Sequence, residues 1–424
     1  MKMDDQSIHK KLLHLLREGT LGAEWEISRK SMPDHELFFL SHDSIVESCD
    51  LVGLEVDAIP YLQYVADRIS ADPALTRLAW HCHHLLTHSE SYPRRDARAW
   101  PSLEELLGDQ GGAFYLLIAF SGIPKARAFH SSRGIPEQIA LDTYSDTGIW
   151  ARDYRDMNGV WGMRLHILPW LFNHLRGELF RLVRLQFMQR PYRAKLRAFR
   201  NRATREVKVL ADEGVTYRGD GQLNGTGGIK DPDTAWTSRI LMDQKQVTGT
   251  PIHPTGIALG KEISLPLDVW EPILKPGDYI IEIHIPGESP MDFDACGDSF
   301  RLAVDFFPRY FPDRPFEAFC CGSWILNTQF QDMLPPDSNL VRFQKELYLF
   351  PILSGDRSGV GRIFKGGIQN PSTAPRDTTL RRAVLDHLQA GGYLRAGGAL
   401  MFAEDLDWGS QIYRKMWDRD AKNE

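Results

Sequence analysis

The sequence has 424 residues, of which 42% are hydrophobic and 25% charged, values that allow a large folded core. Its net charge of -6 excludes a general nucleic-acid binder, since such a protein needs a basic surface to neutralise phosphates. No apolar run approaches the ~20 residues of a membrane-spanning helix. Five scattered cysteines do not form the pattern of a disulfide framework. We therefore expect a reduced, cytoplasmic protein with neither nucleic acid nor membrane as a partner.

The first part of the chain, residues 1–175, is predicted to form a helical domain. Apolar residues recur there at helical spacing, and clusters with Pro or Gly interrupt them. The predicted helices cover residues 7–18, 59–69, 72–86, 102–107, 112–120 and 136–147.

The second part, residues 176–424, is predicted to form an α+β domain. Runs rich in β-branched and aromatic residues predict strands at 179–188, 207–210, 236–242, 262–265, 279–285, 316–324, 347–353 and 399–402. Helices are predicted at 299–310, 328–334, 339–346 and 380–390. The arginine-rich run 190–205 is interpreted as a solvated helix or a connector. This order favours a mostly antiparallel sheet flanked by helices.

The strand predicted at 279–285 carries two ionisable side chains, Glu282 and His284. Residues two apart on a strand share a face, so these two point one way and the neighbouring isoleucines point the other. Histidine titrates near neutral pH, which makes His284 a candidate general base. Glu282 would orient it or bind a cationic amine. The alternative is a buried pair with a purely structural role.

The strand predicted at 316–324 ends in Cys320, Cys321, Ser323 and Trp324. A cysteine beside His284 is a possible nucleophile, but free cysteine is also a common small core residue. The Ser323 hydroxyl would donate a hydrogen bond to a thioester or a phosphate, and Trp324 would line one side of a cleft. The alternative is a polar strand end followed by a core aromatic.

A predicted histidine-rich helix includes His81, His84 and His88. Their spacing along the sequence brings these side chains to one face of the helix. No glutamate stands between His84 and His88 as in the zinc-protease pattern, and no second cluster of ligands is evident. We therefore expect no metal site.

Several segments together resemble a bacterial acyltransferase family in which a helical N-terminal domain precedes a GNAT-like C-terminal domain. The residues that carry the resemblance are 179–187, 277–278, 282–286, 306–308, 321–326 and 338–343. The resemblance is strongest over 277–350 and weak before Gly148. It implies a GNAT-like fold for residues 176–424.

The resemblance also implies an activity, which is transfer of an acyl group from acyl-CoA or acetyl-CoA to an amine or a hydroxyl of a small-molecule acceptor. His284 and Glu282 would be catalytic. The expected contacts to the co-substrate are Ser289, Ser323, Trp324, Asn339 and Arg342. The arginine-rich part 193–205 would be a solvated helix face, with docking of the adenosine phosphate of CoA as the alternative.

One segment departs from the family pattern. GNAT enzymes hold the pyrophosphate in a Gly-rich loop, whereas residues 287–292 contain one glycine and two acids. A helix N-terminus still binds an anion through backbone N–H groups. The departure keeps open a non-catalytic module that binds acyl-CoA or a small molecule, with the helical domain as a docking surface. A Cys-dependent hydrolase is a third alternative.

Overall fold

The computed structural model describes residues 12–17, 20–365, 367–368 and 370–420. It divides into two compact units, Met1–Leu182 and Val183–Glu424. The predicted boundary after residue 175 stays a prediction. Of the predicted first helix, 7–18, residues 7–11 and 18 lie outside the described residues, and residues 12–16 are helical.

The first unit is helical. Its α-helices from Trp25 onward are α1 (Trp25–Lys30), α2 (His42–Leu51), α3 (Ala58–Ala71), α4 (Pro73–Thr87), α5 (Glu104–Leu107), α6 (Gly111–Phe120), α7 (Ile123–Ser132), α8 (Glu137–Asn158) and α9 (Leu168–Leu175), and a short strand, β1 (Leu179–Leu182), ends the unit. Helix α4 begins at Pro73, whose fixed φ suits a first helical position, and the Asp72 carboxylate accepts from the Ala74 N–H at 2.8 Å.

One apolar stretch, Glu104–Ser132, has the length and composition of a membrane-spanning helix. It consists of α5, α6 and α7, and 72% of its most apolar window is buried inside the structure. Residues 113–120 of α6 are all buried among the other helices of the unit. This burial is that of a core helix, which is apolar on every side because every side is packed.

The described residues of the second unit contain fifteen strands, β2 to β16 in chain order, and five of them belong to the six-stranded sheet that positions the candidate site. These five are β2 (Leu185–Pro191), β13 (Tyr279–His284), β14 (Ala318–Ser323), β16 (Gly397–Phe402) and β15 (Tyr348–Pro351), in that spatial order. Only the β13–β14 pair is parallel, and the other three pairs are antiparallel. The predicted mostly antiparallel sheet is therefore confirmed.

The other described strands of this unit form separate sheets. A five-stranded sheet has the order β10 (Ile257–Ala258), β9 (Pro251–His253), β4 (Val207–Ala211), β3 (Leu196–Asn201) and β12 (Trp270–Leu274). A three-stranded sheet joins β11 (Ile263–Pro266), β8 (Gln246–Gly249) and β7 (Ile240–Met242), and a two-stranded one joins β5 (Thr216–Tyr217) and β6 (Trp236–Thr237).

The arginine-rich run 193–205 is not helical, so that interpretation was wrong. It contains β3, in which Arg200 is 2% exposed and forms a two-pronged ion pair with Asp405, at 2.5 and 3.0 Å. An arginine in a sequence usually predicts an exposed side chain. Here the two carboxylate oxygens of Asp405, which is distant along the chain, accept from the guanidinium and compensate for its burial.

The helices of the second unit are α10 (Phe293–Tyr310), α11 (Phe330–Met333), α12 (Asn339–Lys345), α13 (Val360–Ile363), α14 (Thr379–Gln389) and α15 (Ile412–Asp420). Helix α10 connects the two parallel strands β13 and β14. Phe300 of this helix packs against Phe187 and Phe319 of the sheet, with ring centroids 6.0 and 5.1 Å apart. The register places Ile283 beside Phe187 and Ile281 beside Phe319. The isoleucines therefore lie on the face that α10 covers, as predicted.

Candidate active site

The site is defined by the place where β13 and β14 separate. Their register covers residues 280–282 of β13 and 318–320 of β14. Beyond it, β13 still pairs with β2 as far as His284, and β14 still pairs with β16 as far as Ser323. The inner edges of the two strands thus diverge, and their backbone N–H and C=O groups are left to a ligand or to water.

Glu282 and His284 lie at this divergence on the face opposite to α10. Glu282 Oε2 is 3.5 Å from His284 Nε2, and the two side chains are 40% and 27% exposed. The structure therefore brings together the two residues that were expected to be catalytic, and both reach solvent on one face of the sheet.

Electrostatics keep the Glu282 carboxylate ionised. Its pKa is lowered from 4.5, first by the hydrogen bond with His284, with further help from the positive charges of Arg190 and Arg193. Partial burial acts in the opposite direction but is outweighed. An ionised carboxylate 3.5 Å from Nε2 stabilises the positive charge that the imidazole acquires when it takes up a proton.

The two cysteines of β14 are poorly suited to nucleophilic attack. Burial raises the pKa of Cys320 to about 12, and the nearby Glu282 carboxylate adds to the effect. Burial also raises the pKa of Cys321, which is 2% exposed. A thiol reacts as its thiolate, so both groups are held in their unreactive form near neutral pH. The structure favours the core interpretation of these residues.

Ser323 ends β14 and caps the next turn. Its Oγ accepts from the N–H of Ile325 at 3.3 Å. It lies three residues after Cys320, so strand alternation places it on the α10 side of the sheet, opposite to Glu282. Trp324 packs over Gly359, where an added Cβ would stand 2.8 Å from its ring, and against Phe330. Trp324 thus belongs mainly to the packing beneath the strand end.

The remaining expected contacts lie around the start of α10 or on the surface. Arg342 stacks on the ring of Phe293, the first residue of α10, with its guanidinium 3.7 Å from the ring centroid. Ser289 is exposed in the loop before that helix, and Asn339 is exposed at the first position of α12. The structure thus places Arg342 at the N-terminus of α10, whereas Asn339 begins α12.

The loop before α10, residues 285–292, includes the acidic segment 287–292, and one of the two acids of that segment caps the helix. The Asp292 carboxylate caps α10 by accepting from the Ala295 N–H at 2.8 Å. One of the two acids thus has a structural role at the helix N-terminus, where its charge offsets part of the helix dipole. Glu288 is exposed.

Arg184 is a residue of this region that sequence reasoning missed. It is 6% exposed, and its guanidinium donates to the carbonyl oxygens of Pro286, Ser289 and Pro290 at 2.9, 2.7 and 3.1 Å. The sequence signal was an arginine inside an apolar β run. The sequence predicts one strand over 179–188, but the chain turns at Val183 and Arg184, without the Gly or Asn that usually marks a hairpin turn.

The histidine-rich helix α4 uses its rings for hydrogen bonds within the helical unit. His81 bonds with Ser28 and with the carbonyl oxygen of Leu21, at 2.6 and 2.5 Å, and His84 lies 3.1 Å from Glu24. His88 bonds with Thr87 at 2.8 Å. Among the residues that the model describes, no group of three potential ligands is placed to hold a metal ion.

Comparison with known proteins agrees with this architecture. The model of the GNAT-like C-terminal domain matches residues 179–401, and that of the N-acyltransferase N-terminal domain matches residues 43–177. A comparison with curated protein sequences found no match.

Solved structures with the same fold include three acyltransferase complexes. An acyltransferase mutant in complex with octanoyl-CoA is 20% identical with a TM-score of 0.62, over 94% of this chain and 99% of that chain. An acyltransferase in complex with decanoyl-CoA and teicoplanin, and another with CoA and 10C-teicoplanin, are each 21% identical with a TM-score of 0.62, over 95% of this chain and 100% of theirs. Since the GNAT-like model alone matches more than half of the chain, the protein belongs to the acyltransferase family that joins an N-acyltransferase N-terminal domain to a GNAT-like C-terminal domain.

Proposed function

We propose that the protein transfers an acyl group from acyl-CoA to an amine of a small-molecule acceptor, or alternatively to a hydroxyl. The observation that carries the proposal is the divergence of β13 and β14 directly beside the Glu282–His284 pair. A thioester lying in that gap has the base on one side of the sheet and the N-terminus of α10 on the other. The first side suits the acceptor, and the second suits the phosphates.

In the proposed reaction the nitrogen lone pair of the neutral amine attacks the thioester carbonyl carbon. His284 takes the amine proton, and the Glu282 carboxylate beside it stabilises the imidazolium that forms. Backbone N–H groups at the diverging strand edges are suitable donors to the oxyanion. The C–S bond then breaks, CoA leaves as the thiolate, and the imidazolium returns a proton to it.

The co-substrate follows from the chemistry of the relatives. Octanoyl-CoA and decanoyl-CoA bind to acyltransferases of the same fold, so we take these two as the first donors to test. All five cysteines are free thiols, which supports the cytoplasmic location that we propose.

The test combines ligand binding with turnover. Thermal unfolding is measured with decanoyl-CoA, because a ligand of the native state raises apparent stability. Release of the CoA thiol and formation of an acylated product are then followed by absorbance and mass spectrometry over a panel of amines. Stabilisation together with an acylated amine supports the proposal.

Two other outcomes contradict the proposal in different ways. Stabilisation without turnover over a broad panel indicates the non-catalytic binding module, in which the helical unit serves for docking. A lack of stabilisation by any acyl-CoA contradicts both functions.

A further inference from the structure

The guanidinium of Arg184 is surrounded by the backbone of the loop that precedes α10. It donates three hydrogen bonds to carbonyl oxygens of residues 286, 289 and 290, at 2.7 to 3.1 Å. Only 6% of the residue is exposed. Three charge-assisted bonds to one short segment fix the conformation of that segment.

Arg184 is also tied to α10 itself through Ser299. The N–H groups of Arg184 and Leu185 donate to Ser299 Oγ at 3.0 and 3.2 Å, and this hydroxyl donates to the Ala295 carbonyl oxygen at 2.7 Å. Ser299 is fully buried. The guanidinium, the loop and the first turns of the helix are therefore joined by one hydrogen-bond network.

This network places two sources of positive potential side by side. The N-terminus of α10 carries the positive end of the helix dipole. Burial raises the pKa of Cys296 in the first turn of that helix. The positive charge of Arg184 lowers this pKa and so partly opposes the effect of burial. The Asp292 cap offsets some of the positive potential, and a bound anion would offset more.

The direction of the carbonyl groups in this loop determines where its backbone N–H groups point. All peptide bonds described are trans, and in a trans peptide the C=O of one residue and the N–H of the next point in opposite directions. The carbonyls of Pro286 and Pro290 point inward to Arg184, so the N–H groups of Gly287 and Met291 point away from it. Gly287 is exposed and Met291 is half-buried.

We infer that Arg184 is a positioning residue, which holds the loop 285–292 as a backbone site for the phosphates of acyl-CoA, an inference that rests on the proposed function. The segment 287–292 contains a single glycine. The arginine beneath the loop draws the carbonyls of Pro286, Ser289 and Pro290 inward, and it adds a positive charge.

The test compares a ligand with phosphates and a ligand without them. Titration calorimetry of the full chain gives Kd for CoA and for decanoyl-pantetheine, which lacks the phosphates and the adenosine. Arg184→Lys keeps the charge but loses the planar array of donors. We expect Kd for CoA to rise about tenfold or more, and Kd for decanoyl-pantetheine to stay within about twofold.

The matched control is Arg301→Lys, because Arg301 lies on α10, is 55% exposed in its side chain and pairs with Asp298 at the surface. It is expected to leave both constants unchanged. Arg184→Met, which also removes the charge, is expected to weaken CoA binding further. Arg184→Lys carries the test if Arg184→Met does not fold.

Equal weakening for both ligands in Arg184→Lys would indicate a general structural role and overturn the inference. An unchanged Kd for CoA would overturn it as well, while the proposed function would stand. If the unsubstituted chain binds no CoA, the proposed function fails, and the inference fails with it.

Discussion

Glu282 and Cys320 are register partners at the last position where β13 and β14 pair. Beyond this pair the two parallel strands separate, and His284 follows on the same face as Glu282. The pKa values of these two neighbours shift in opposite directions. The hydrogen bond from His284 lowers the pKa of Glu282, whereas burial raises the pKa of Cys320 to about 12. The carboxylate is thus ready to support a base, and the thiol is kept inert.

Replacement of His284 by alanine tests the general base. The expected loss in kcat/KM is roughly a hundredfold to ten-thousandfold, the usual contribution of a positioned acid–base group. Denaturant unfolding of the variant separates a loss of catalysis from a folding defect, because the side chain is only 27% exposed. The measurement is the rate of CoA thiol release with decanoyl-CoA and an accepted amine. His35→Ala, at an exposed position of the helical unit, is the control. Full turnover by His284→Ala would refute this mechanism.

Replacement of Cys320 by alanine separates direct attack from a covalent intermediate. We expect kcat/KM to stay within about threefold, because a thiol with a pKa of about 12 supplies almost no thiolate at neutral pH. Iodoacetamide is likewise expected to leave the activity intact. The readout is thiol release before and after alkylation, with mass spectrometry to locate any modified cysteine. Loss of activity that tracks alkylation of Cys320 would instead favour a Cys-dependent hydrolase.

The Glu282–His284 pair predicts a pH dependence of stability. The pKa of Glu282 is lowered in the folded state, so its contribution is present above the unfolded value and is lost as the pH falls through the folded value. The free energy of unfolding of the wild type should exceed that of Glu282→Gln by more at about pH 6 than at about pH 3.

Urea denaturation of both proteins across this range measures the difference. The exposed Glu262 provides the control substitution, Glu262→Gln. A difference in unfolding free energy that stays constant with pH would show that the pair does not stabilise the charged carboxylate. The effect is small, because Glu282 is 40% exposed and solvent screens its interactions.

Packing at the start of α10 predicts a cost for a single added methyl group. A Cβ at Gly297 would stand 2.5 Å from the Trp408 ring, and that ring is held by a hydrogen bond from its Nε1 to the Phe293 carbonyl oxygen at 2.9 Å. Gly297→Ala should therefore lower the free energy of unfolding by about 1–3 kcal/mol.

The matched substitution is Gly361→Ala in α13, where an added Cβ would meet no atom within 4 Å. Alanine favours a helix, so this control should be neutral or slightly stabilising. Denaturant unfolding of both variants measures the contrast. Equal stability of the two would contradict the close contact with Trp408.

Much of the fold was predictable because local patterns agree with it. The helices predicted at 59–69, 72–86 and 112–120 correspond to α3, α4 and α6, and the strands at 279–285 and 316–324 correspond to β13 and β14. The alternation of Glu282 and His284 with isoleucines determined which residues face α10. These features depend on periodicity, which neighbouring residues along the chain determine.

Contacts between distant segments decided the rest. Arg200 belongs to a run that the sequence predicts to be solvated, and Arg184 to a run predicted as one strand. Each is buried because residues more than a hundred positions away supply its acceptors. The sequence also does not predict the separation of β13 from β14, because each strand by itself has an ordinary pattern. The sequence by itself determined the helical and α+β halves and the face shared by Glu282 and His284. Only the tertiary structure decided where the strands part, because backbone pairing belongs to two strands at once.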